Sequence, residues 1–404
     1  MENEPRTPHG TGTRHTLRSR GMFLHAWDIA EAGADPLMDW LSSAGLNTLC
    51  LAATYHDGWF VHPHHSRHRA LMAEGDVCYF HPRLSLYRDT RLRPQVARIC
   101  QKRDWFAEAG KKLRKYHLRL VSWTVGTHNS RLGLKYPDLV QQNVFGDRLP
   151  HALCPANDEA RAYLIALCRD LAVNYPVSAL QLESFGWMGF RHGHHHERDL
   201  TGLSDFECEL LGLCVCRACR RKAAAAGVDA EKVRTQVKSI LDGVFREAPG
   251  RPRGHPTCME EAEASYPELK RFNAWRTGFQ NFLLSEIRAR SLAGTDCLLL
   301  LQTEPERTTA GLADGFACIA YRQTPARTLE ICRRANRKLP RNWSGWFQCF
   351  VQLGMGVLAS ESQLRGIVRA VQKGGCNGIS FYNYSEAPPK MLNWLAAVMK
   401  EFAG

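Results

Sequence analysis

Short apolar runs alternate along the chain with longer stretches in which apolar residues recur every three or four positions. The short runs predict β-strands, and the longer stretches predict amphipathic helices. Strands separated by helices are typical of a parallel sheet built from strand–helix units. Eight apolar runs have the length of a strand: residues 21–27, 46–53, 118–125, 178–182, 297–302, 315–321, 346–353 and 377–382.

The number of these strands decides between two α/β folds. Eight strands, with a last helical stretch over residues 389–402 that would close the ring, predict a (β/α)₈ TIM barrel. The alternative is an open doubly wound sheet, which would carry a glycine-rich turn after its first strand. The turn that begins at Asp28 lacks this fingerprint, so the barrel is favoured.

Two long insertions interrupt the strand–helix pattern, at about residues 56–104 and 188–294. We expect both at the C-terminal face of the barrel, where long loops wall the binding site. The polar, arginine-containing residues 1–20 predict a disordered leader, and residues 21–404 predict the barrel with its insertions.

The composition excludes several classes of protein. Of the 404 residues, 44% are hydrophobic and 23% are charged, as in ordinary globular proteins. No apolar run reaches the ~18 residues of a membrane-spanning helix, so we expect no membrane partner. The net charge of +13 would suit a nucleic acid, but the basic residues are scattered and no reading motif surrounds them. We therefore expect no nucleic-acid partner.

Fifteen cysteines without a secretion signal predict a reducing compartment, and hence a cytoplasmic location. Four of them lie close together in the second insertion, at Cys208, Cys214, Cys216 and Cys219. Four thiolates at short spacing fit the tetrahedral coordination of a structural zinc ion. The alternative is that reduced thiols simply pack as small apolar groups.

Polar or aromatic residues follow nearly every predicted strand, which is the pattern expected where a barrel assembles its active site. Glu183 closes the fourth strand, and aromatic residues follow it. Partial desolvation at such a place would raise the pKa of its carboxyl toward the range of a proton donor. Glu183 is therefore the leading candidate for a catalytic residue.

Glycoside hydrolysis ordinarily needs a second carboxyl group. Glu304 follows the fifth strand and is preferred, because neighbouring strands lie ~4.8 Å apart and would bring its carboxyl close to that of Glu183. Asp28, after the first strand, and Glu386, after the last strand, are the alternatives.

The other strand-end residues would bind a substrate by stacking on a sugar ring or by hydrogen bonding to its hydroxyls. These candidates are His25, Trp27, Tyr55, His56, His128, Asn129, Trp187, His192, Tyr321, Asn383 and Tyr384. A different chemistry also stays open, because His192 or His196 could join the carboxylates in binding a divalent metal.

Several longer strings resemble a group of actinobacterial, glycoside-hydrolase-like TIM-barrel proteins, most of them without an assigned activity. The strings are residues 23–28 (FLHAWD), 123–133 (WTVGTHNSRLG), 153–157 (LCPAN), 182–197 (LESFGWMGFRHGHHHE), 213–219 (LCVCRAC) and 381–384 (FYNY). The resemblance implies a barrel with a carbohydrate site that includes Glu183. The cysteine string is also similar to the zinc-binding insert of some barrel β-galactosidases.

These features predict an enzyme that acts on a small-molecule carbohydrate, either a glycoside or a sugar derivative, without a required cofactor. Glu183 would act as general acid/base, with Glu304 or Asp28 as the second carboxylate. One alternative is a metal-dependent sugar isomerase, epimerase or lyase, and another is a non-catalytic carbohydrate-binding barrel. The sequence leaves open whether copies of the chain form a homo-oligomer.

Overall fold

Eight parallel strands form a closed barrel, which confirms the predicted (β/α)₈ fold. The computed structural model describes residues 17–66, 68–190, 201–306 and 308–402. The first strand pairs with both the second and the last, so the ring closes. The barrel strands are β1 (Ser19–Leu24), β2 (Thr48–Tyr55), β3 (Arg119–Val125), β4 (Val177–Glu183), β5 (Leu298–Leu301), β6 (Gly315–Ile319), β7 (Trp346–Gln352) and β8 (Gly378–Tyr382).

Helices surround this ring and fill its insertions. They are α1 (Ala26–Ala32), α2 (Ala34–Ser43), α3 (Trp105–Lys112), α4 (Ser130–Lys135), α5 (Asp158–Asn174), α6 (Asp205–Leu211), α7 (Arg217–Ala225), α8 (Ala230–Glu247), α9 (Met259–Ser265), α10 (Pro267–Glu286), α11 (Pro325–Asn336), α12 (Glu361–Lys373) and α13 (Pro389–Lys400). None of these described helices is long and apolar enough to cross a lipid bilayer.

Two details differ from the sequence prediction. The described part of the link between β5 and β6 contains no helix, so the expectation of one helix after every strand is wrong there. The predicted leader was drawn to residue 20, but β1 begins at Ser19, whose backbone N–H donates to the carbonyl of Asn377 at 3.3 Å. Residues 1–16 of that leader lie outside the described residues.

The insertions contain their own small sheets. The first places a hairpin of Gly58–Val61 and Ala70–Ala73 after β2, and the short strand Val77–Cys78 pairs antiparallel with β2. A further insertion, which the sequence pattern did not reveal, follows β3 and holds α4 with the hairpin Val140–Gln142 and Arg148–Leu153. The second predicted insertion contributes α6 to α10.

The alternation of side chains along each strand separates two cores. Along β1, Met22 and Leu24 face the helices, whereas Phe23 points into the barrel. The same alternation on β3 sends Leu120 outward and Trp123 inward. Because neighbouring strands are in register, the inward residues form layers that fill the ring.

A chain of buried amides crosses this interior. The Ser380 hydroxyl donates to Oε1 of Gln348 at 3.1 Å, and Nε2 of Gln348 donates to Oε1 of Gln181 at 3.1 Å. Nε2 of Gln181 then donates to Oε1 of Gln302 at 3.1 Å. Gly21 leaves the space for this chain, because a Cβ there would lie 2.5 Å from the Ser380 hydroxyl oxygen.

Removing the first amide of the chain should destabilise the barrel. Gln348→Leu leaves the buried Gln181 carbonyl without its donor, and we expect the free energy of unfolding to fall by about 2–4 kcal/mol. Urea denaturation measures this change. The control is Gln101→Leu, because Gln101 is exposed and its replacement should shift stability by no more than about 0.5 kcal/mol. Equal effects of the two substitutions would contradict a stabilising amide chain.

Candidate functional site

Strand alternation places Glu183 at the mouth of the barrel. Leu180 and Leu182 of β4 face the helix layer, so Gln181 and Glu183 point to the inside. Glu183 is the last residue of its strand and is partly exposed at the opening. The leading sequence candidate therefore lies where substrates of such barrels bind.

The carboxyl of Glu183 lies among groups that set its proton affinity. Burial raises its pKa above the ordinary glutamate value, while the indole of Trp123, the nearby His56 and the amide of Gln302 oppose this shift without cancelling it. The Trp123 Nε1–H donates to Oε2 of Glu183 at 2.6 Å. A carboxyl that stays protonated above the usual pH range is suited to donate a proton.

The amide chain of the interior ends on this carboxyl. The amide group of Gln302 accepts from Gln181 and donates to Glu183, which lowers the pKa of that carboxyl against the larger effect of burial. Every donor in the chain from Ser380 onward points toward Glu183. Aligned donors of this kind polarise one another and stabilise negative charge at the acceptor end.

Three tyrosines form one wall of the mouth. The hydroxyls of Tyr55 and Tyr382 are 3.1 Å apart, and the rings of Tyr321 and Tyr382 lie 5.4 Å apart. Burial, with the charges of Glu386 and Glu183, raises the pKa of Tyr382 to about 12. The pKa values of Tyr55 and Tyr321 are raised for the same first reason, burial, with a contribution from Glu183. The hydroxyls therefore stay protonated and can donate hydrogen bonds.

An aromatic cluster packs against Tyr55 of this wall. His25 stacks on Trp27 with ring centres 4.1 Å apart and meets Tyr55 edge-on at 5.1 Å. Phe60, from the hairpin after β2, also contacts His25 at 5.0 Å. Burial lowers the pKa of His25, so this ring is a neutral part of the wall.

His56 and His128 lie at the rim near Glu183. Their rings stack at 4.6 Å, and His56 also stacks on Tyr55 at 4.3 Å. Asn129 has a structural function, since its side-chain oxygen accepts the Leu132 N–H at 2.8 Å and caps α4. The structure thus brings two of these three predicted residues to the rim and uses the third to begin a helix.

Asp28 is a buried structural carboxylate. It accepts the backbone N–H of His25 at 2.8 Å, which caps α1, and the hydroxyl of Ser385 at 2.7 and 2.9 Å. The Trp27 indole N–H donates to the same hydroxyl at 3.0 Å. These bonds join the start of α1 to the segment after β8 and saturate the carboxylate.

Glu304 has other partners than predicted. β5 ends at Leu301, and the Glu304 carboxylate pairs with Arg334 at 2.5 Å and Lys338 at 2.6 Å. Partial burial alone would raise the pKa of Glu304, but these two cations hold it below the ordinary value. The expected pair with Glu183 assumed that Glu304 stays at the mouth after the fifth strand, whereas its carboxylate is bound by Arg334 and Lys338.

In the segment after β8, some side chains face the mouth of the barrel and others face away from it. Asn383 is buried and donates from Nδ2 to Oε2 of Glu386 at 2.9 Å. Burial raises the pKa of Glu386, against the opposing effects of Asn383 and Arg322. Tyr384 points away and packs against Trp40, with the ring centres 5.5 Å apart.

Glu386 is the last of the sequence alternatives for the second carboxyl group. It is partly buried, and its charge, like that of Glu183, raises the pKa of Tyr382.

Trp187 packs elsewhere than predicted. Its ring lies 5.9 Å from Trp275 and 6.0 Å from Phe279, both on α10. It therefore lies against the second insertion instead of forming the wall beside Glu183. The other predicted residues of this segment, His192 and His196, lie outside the described residues.

Sequence reasoning missed three residues that touch the site: Trp123, Gln302 and Tyr382. Each lies on the inward face of its strand or directly after it. The available signal was the alternation itself, since Trp123 is two residues from Val125 on β3 and Tyr382 is two from Ser380 on β8. The prediction considered the loops after the strands and overlooked their last inward positions.

Four thiols meet between the hairpin after β3 and α7, and we call them the first thiol cluster. Its members are Cys154, Cys214, Cys216 and Cys219, whose sulfurs all lie within 4.8 Å of one another. The prediction of Cys208 as a fourth member is wrong. Cys208 lies on α6, and Cys154, which directly follows the hairpin strand Arg148–Leu153, takes its place.

The spacing of this cluster fits a tetrahedral metal site. From Cys154, the sulfurs of Cys216, Cys219 and Cys214 are 3.5, 3.5 and 3.9 Å away, and Cys214 and Cys219 are 3.7 Å apart. A zinc ion with Zn–S bonds of about 2.3 Å requires sulfurs about 3.8 Å apart. The measured separations lie close to this value.

A buried cation faces the first thiol cluster. Arg276 lies over the ring of Trp187 at 5.1 Å, and its Nε has no partner among the described residues. Burial lowers the pKa of Arg276, while its interactions with Cys219, Cys214, Glu209 and Cys154 raise it. A guanidinium in this position balances the negative charge that deprotonated thiols would carry.

Comparisons with known proteins agree with the barrel. No protein-family model matches the chain, and no curated protein does either. Among solved structures, the glycoside hydrolase domain of PgaB (BpsB) from Bordetella bronchiseptica superposes with a TM-score of 0.59 at 11% identity, over 94% of this chain and 98% of that one.

Two longer glycosidases also match. For α-L-fucosidase isoenzyme 2 from Paenibacillus thiaminolyticus, the TM-score is 0.55 at 10% identity, over 95% of this chain and 49% of that one. For β-galactosidase from Bacillus circulans sp. alkalophilus, the TM-score is 0.54 at 12% identity, over 96% of this chain and 56% of that one. The chain thus spans about half the length of these two enzymes. At such identities the likeness establishes the fold, a TIM barrel whose structural neighbours are glycoside hydrolases.

Proposed function

We propose that this chain is a glycoside-hydrolase-like enzyme that acts on a glycoside or sugar derivative, with Glu183 as its general acid/base. One observation carries the proposal: a glutamate at a barrel-strand end, with a pKa raised by burial, lies beside tyrosine hydroxyls and aromatic rings. Protonation of a glycosidic oxygen needs such a neutral carboxyl group. The glycosidase names among the structural neighbours support the same class of substrate.

We assign the second carboxylate to Glu386. The Asp28 carboxylate is already occupied by the His25 N–H and the Ser385 hydroxyl. The Glu304 carboxylate is occupied by two cations, Arg334 and Lys338. Glu386 has one side-chain donor, Asn383, and burial raises its pKa against the opposing effects of Asn383 and Arg322. Glycoside hydrolysis needs a second carboxyl group, and Glu386 is the candidate whose oxygens are not occupied by a helix cap or by two cations.

The aromatic walls suit a sugar. Tyr321, Tyr382 and His56 are partly exposed at the mouth and offer ring surface, and the Tyr382 hydroxyl offers a hydrogen bond. The predicted contacts His25 and Trp27 are buried and stack on each other, so they support the wall from inside the protein. Apolar sugar faces stack on aromatic rings while their hydroxyls bond to polar groups at the edge of the pocket.

All fifteen cysteines are free thiols, which supports a reducing, cytoplasmic location for the reaction.

We also propose that the first thiol cluster binds a structural zinc ion. Four buried thiols with near-tetrahedral spacing and the facing Arg276 support this assignment. The ion would join the turn at Cys214 to the hairpin, where the Val215 N–H already donates to the Gln142 carbonyl at 2.8 Å. It would therefore hold the second insertion beside Trp187 and the mouth, with no part in the chemistry.

Glu183→Gln should impair turnover without abolishing binding. We expect kcat/KM on alkyl glycosides, whose poor leaving groups need protonation, to fall by about 10²- to 10⁴-fold because a proton donor is lost. Glu386→Gln should show a comparable loss, whereas Glu304→Gln should keep its activity. A panel of methyl fucosides, galactosides and N-acetylglucosaminides measures this. Full activity of Glu183→Gln, or turnover that disappears with EDTA while the protein stays folded, would contradict the proposal, and sugar binding without any turnover would support a binding protein instead.

The pH dependence of stability should have opposite signs at two glutamates. Because the pKa of Glu183 is raised in the folded state, its ionisation destabilises the fold, so Glu183→Gln should melt above the wild type at pH 8. This difference in melting temperature should close near the ordinary glutamate pKa of about 4.3, because Glu183 is then protonated in both the folded and the unfolded state. The pKa of Glu304 is lowered, so Glu304→Gln should melt below the wild type at pH 8. Thermal melts from pH 4 to 8 test both signs, and a shift of the same sign for both variants would refute the assignment.

Cys154→Ser should remove one zinc ion per chain, whereas Cys208→Ser should not. Both thiols are buried, so each substitution places a hydroxyl in the interior. The two differ in that only Cys154 belongs to the first thiol cluster. Metal analysis of the purified chain measures the difference. If the Cys208 variant lost zinc and the Cys154 variant kept it, the ligand set read from the structure would be wrong.

A further inference from the structure

A second group of four cysteines lies on the other side of the barrel, between the strands and the helix layer. We call it the second thiol cluster, and its members are Cys318 on β6, Cys332 on α11, Cys349 on β7 and Cys376 just before β8. All four residues have 0% exposure. The two clusters together hold eight of the fifteen cysteines.

Three sulfurs of this cluster are close enough to share one ion. Those of Cys318, Cys332 and Cys349 all lie within 4.8 Å of one another, and the Cys318 and Cys332 sulfurs are 3.8 Å apart. The sulfur of Cys376 lies outside this group of three, but its thiol interacts with those of Cys318 and Cys332, which makes it the candidate for a fourth ligand. A sulfur–sulfur separation of 3.8 Å is far beyond the about 2.05 Å of a disulfide and equals the edge of a zinc tetrathiolate.

The fold brings these four residues together by register and by a glycine. Cys318 and Cys349 are paired directly across β6 and β7, and residues paired in parallel strands point to the same face. α11 packs over this face and supplies Cys332. Gly374 permits the close approach of the last segment, since a Cβ there would lie 2.3 Å from Cβ of Cys332.

We propose that the second thiol cluster binds a second zinc ion, independent of the first. Each ligand would lose its thiol proton on binding, and the sulfur would donate an electron pair to the ion. Among the described residues this group consists of soft sulfur ligands without a carboxylate, which selects zinc over magnesium or calcium. The ion would link β6, β7, α11 and the segment before β8. This site does not depend on the proposed catalysis.

Metal stoichiometry tests the proposal on the full chain, produced without an affinity tag in zinc-supplemented cells and passed over a weak chelator. We expect two zinc ions per wild-type chain by elemental analysis. Cys332→Ser and Cys154→Ser should each retain one, and the double variant should retain none. Cys168→Ser is the matched control: it is a buried cysteine of α5 outside both clusters and should retain two.

Cobalt gives a measurement that does not need a variant to fold. Refolding the wild type with Co²⁺ should saturate sulfur-to-cobalt charge-transfer absorption at two equivalents per chain. Saturation at one equivalent, a wild type with a single zinc ion, or a folded Cys332→Ser variant that keeps two would overturn the second site. Loss of metal by Cys154→Ser alone, from one ion to none, would confirm the first cluster and reject the second.

Discussion

A single file of hydrogen bonds inside the barrel constrains the rest of this structure. Ser380, Gln348, Gln181 and Gln302 each satisfy the next inside the ring, and the last of them donates to Glu183. Burying primary amides is costly unless every one finds a partner. The barrel therefore needs polar residues on the inward faces of three strands and directly after a fourth. The same requirement fixes the position of the carboxyl at the mouth.

The fold was predictable because strand length and helix period are local properties. The eight runs, their order and the two large insertions follow from residues a few positions apart. Glu183 was predictable for the same reason, since it ends a buried strand with its side chain on the inward face. The hairpin after β3 was not found, because its short strands, such as Val140–Gln142, are too brief to show an alternating pattern.

The errors concern residues whose partners lie far away in sequence. Glu304 was predicted as a catalytic partner, but its carboxylate forms ion pairs with Arg334 and Lys338. These two residues come from a later helix and the residues beyond it. Cys208 seemed a metal ligand because it is close to Cys214 along the chain, yet Cys154 is closer in space. Trp187 followed Glu183 in sequence but packs against α10. Such pairings depend on how loops fold back, which spacing along one segment does not encode.

The positions of the two thiol clusters along the chain have a consequence for biosynthesis. The ligands of the first cluster end at Cys219, so all four have left the ribosome before β5 is made. Those of the second end at Cys376, which emerges only with the last strand. Domains generally fold from the amino terminus during synthesis. The first proposed zinc ion would thus fix the insertion before the later barrel strands are made, whereas the second would fix the late half of the ring only after Cys376 has emerged.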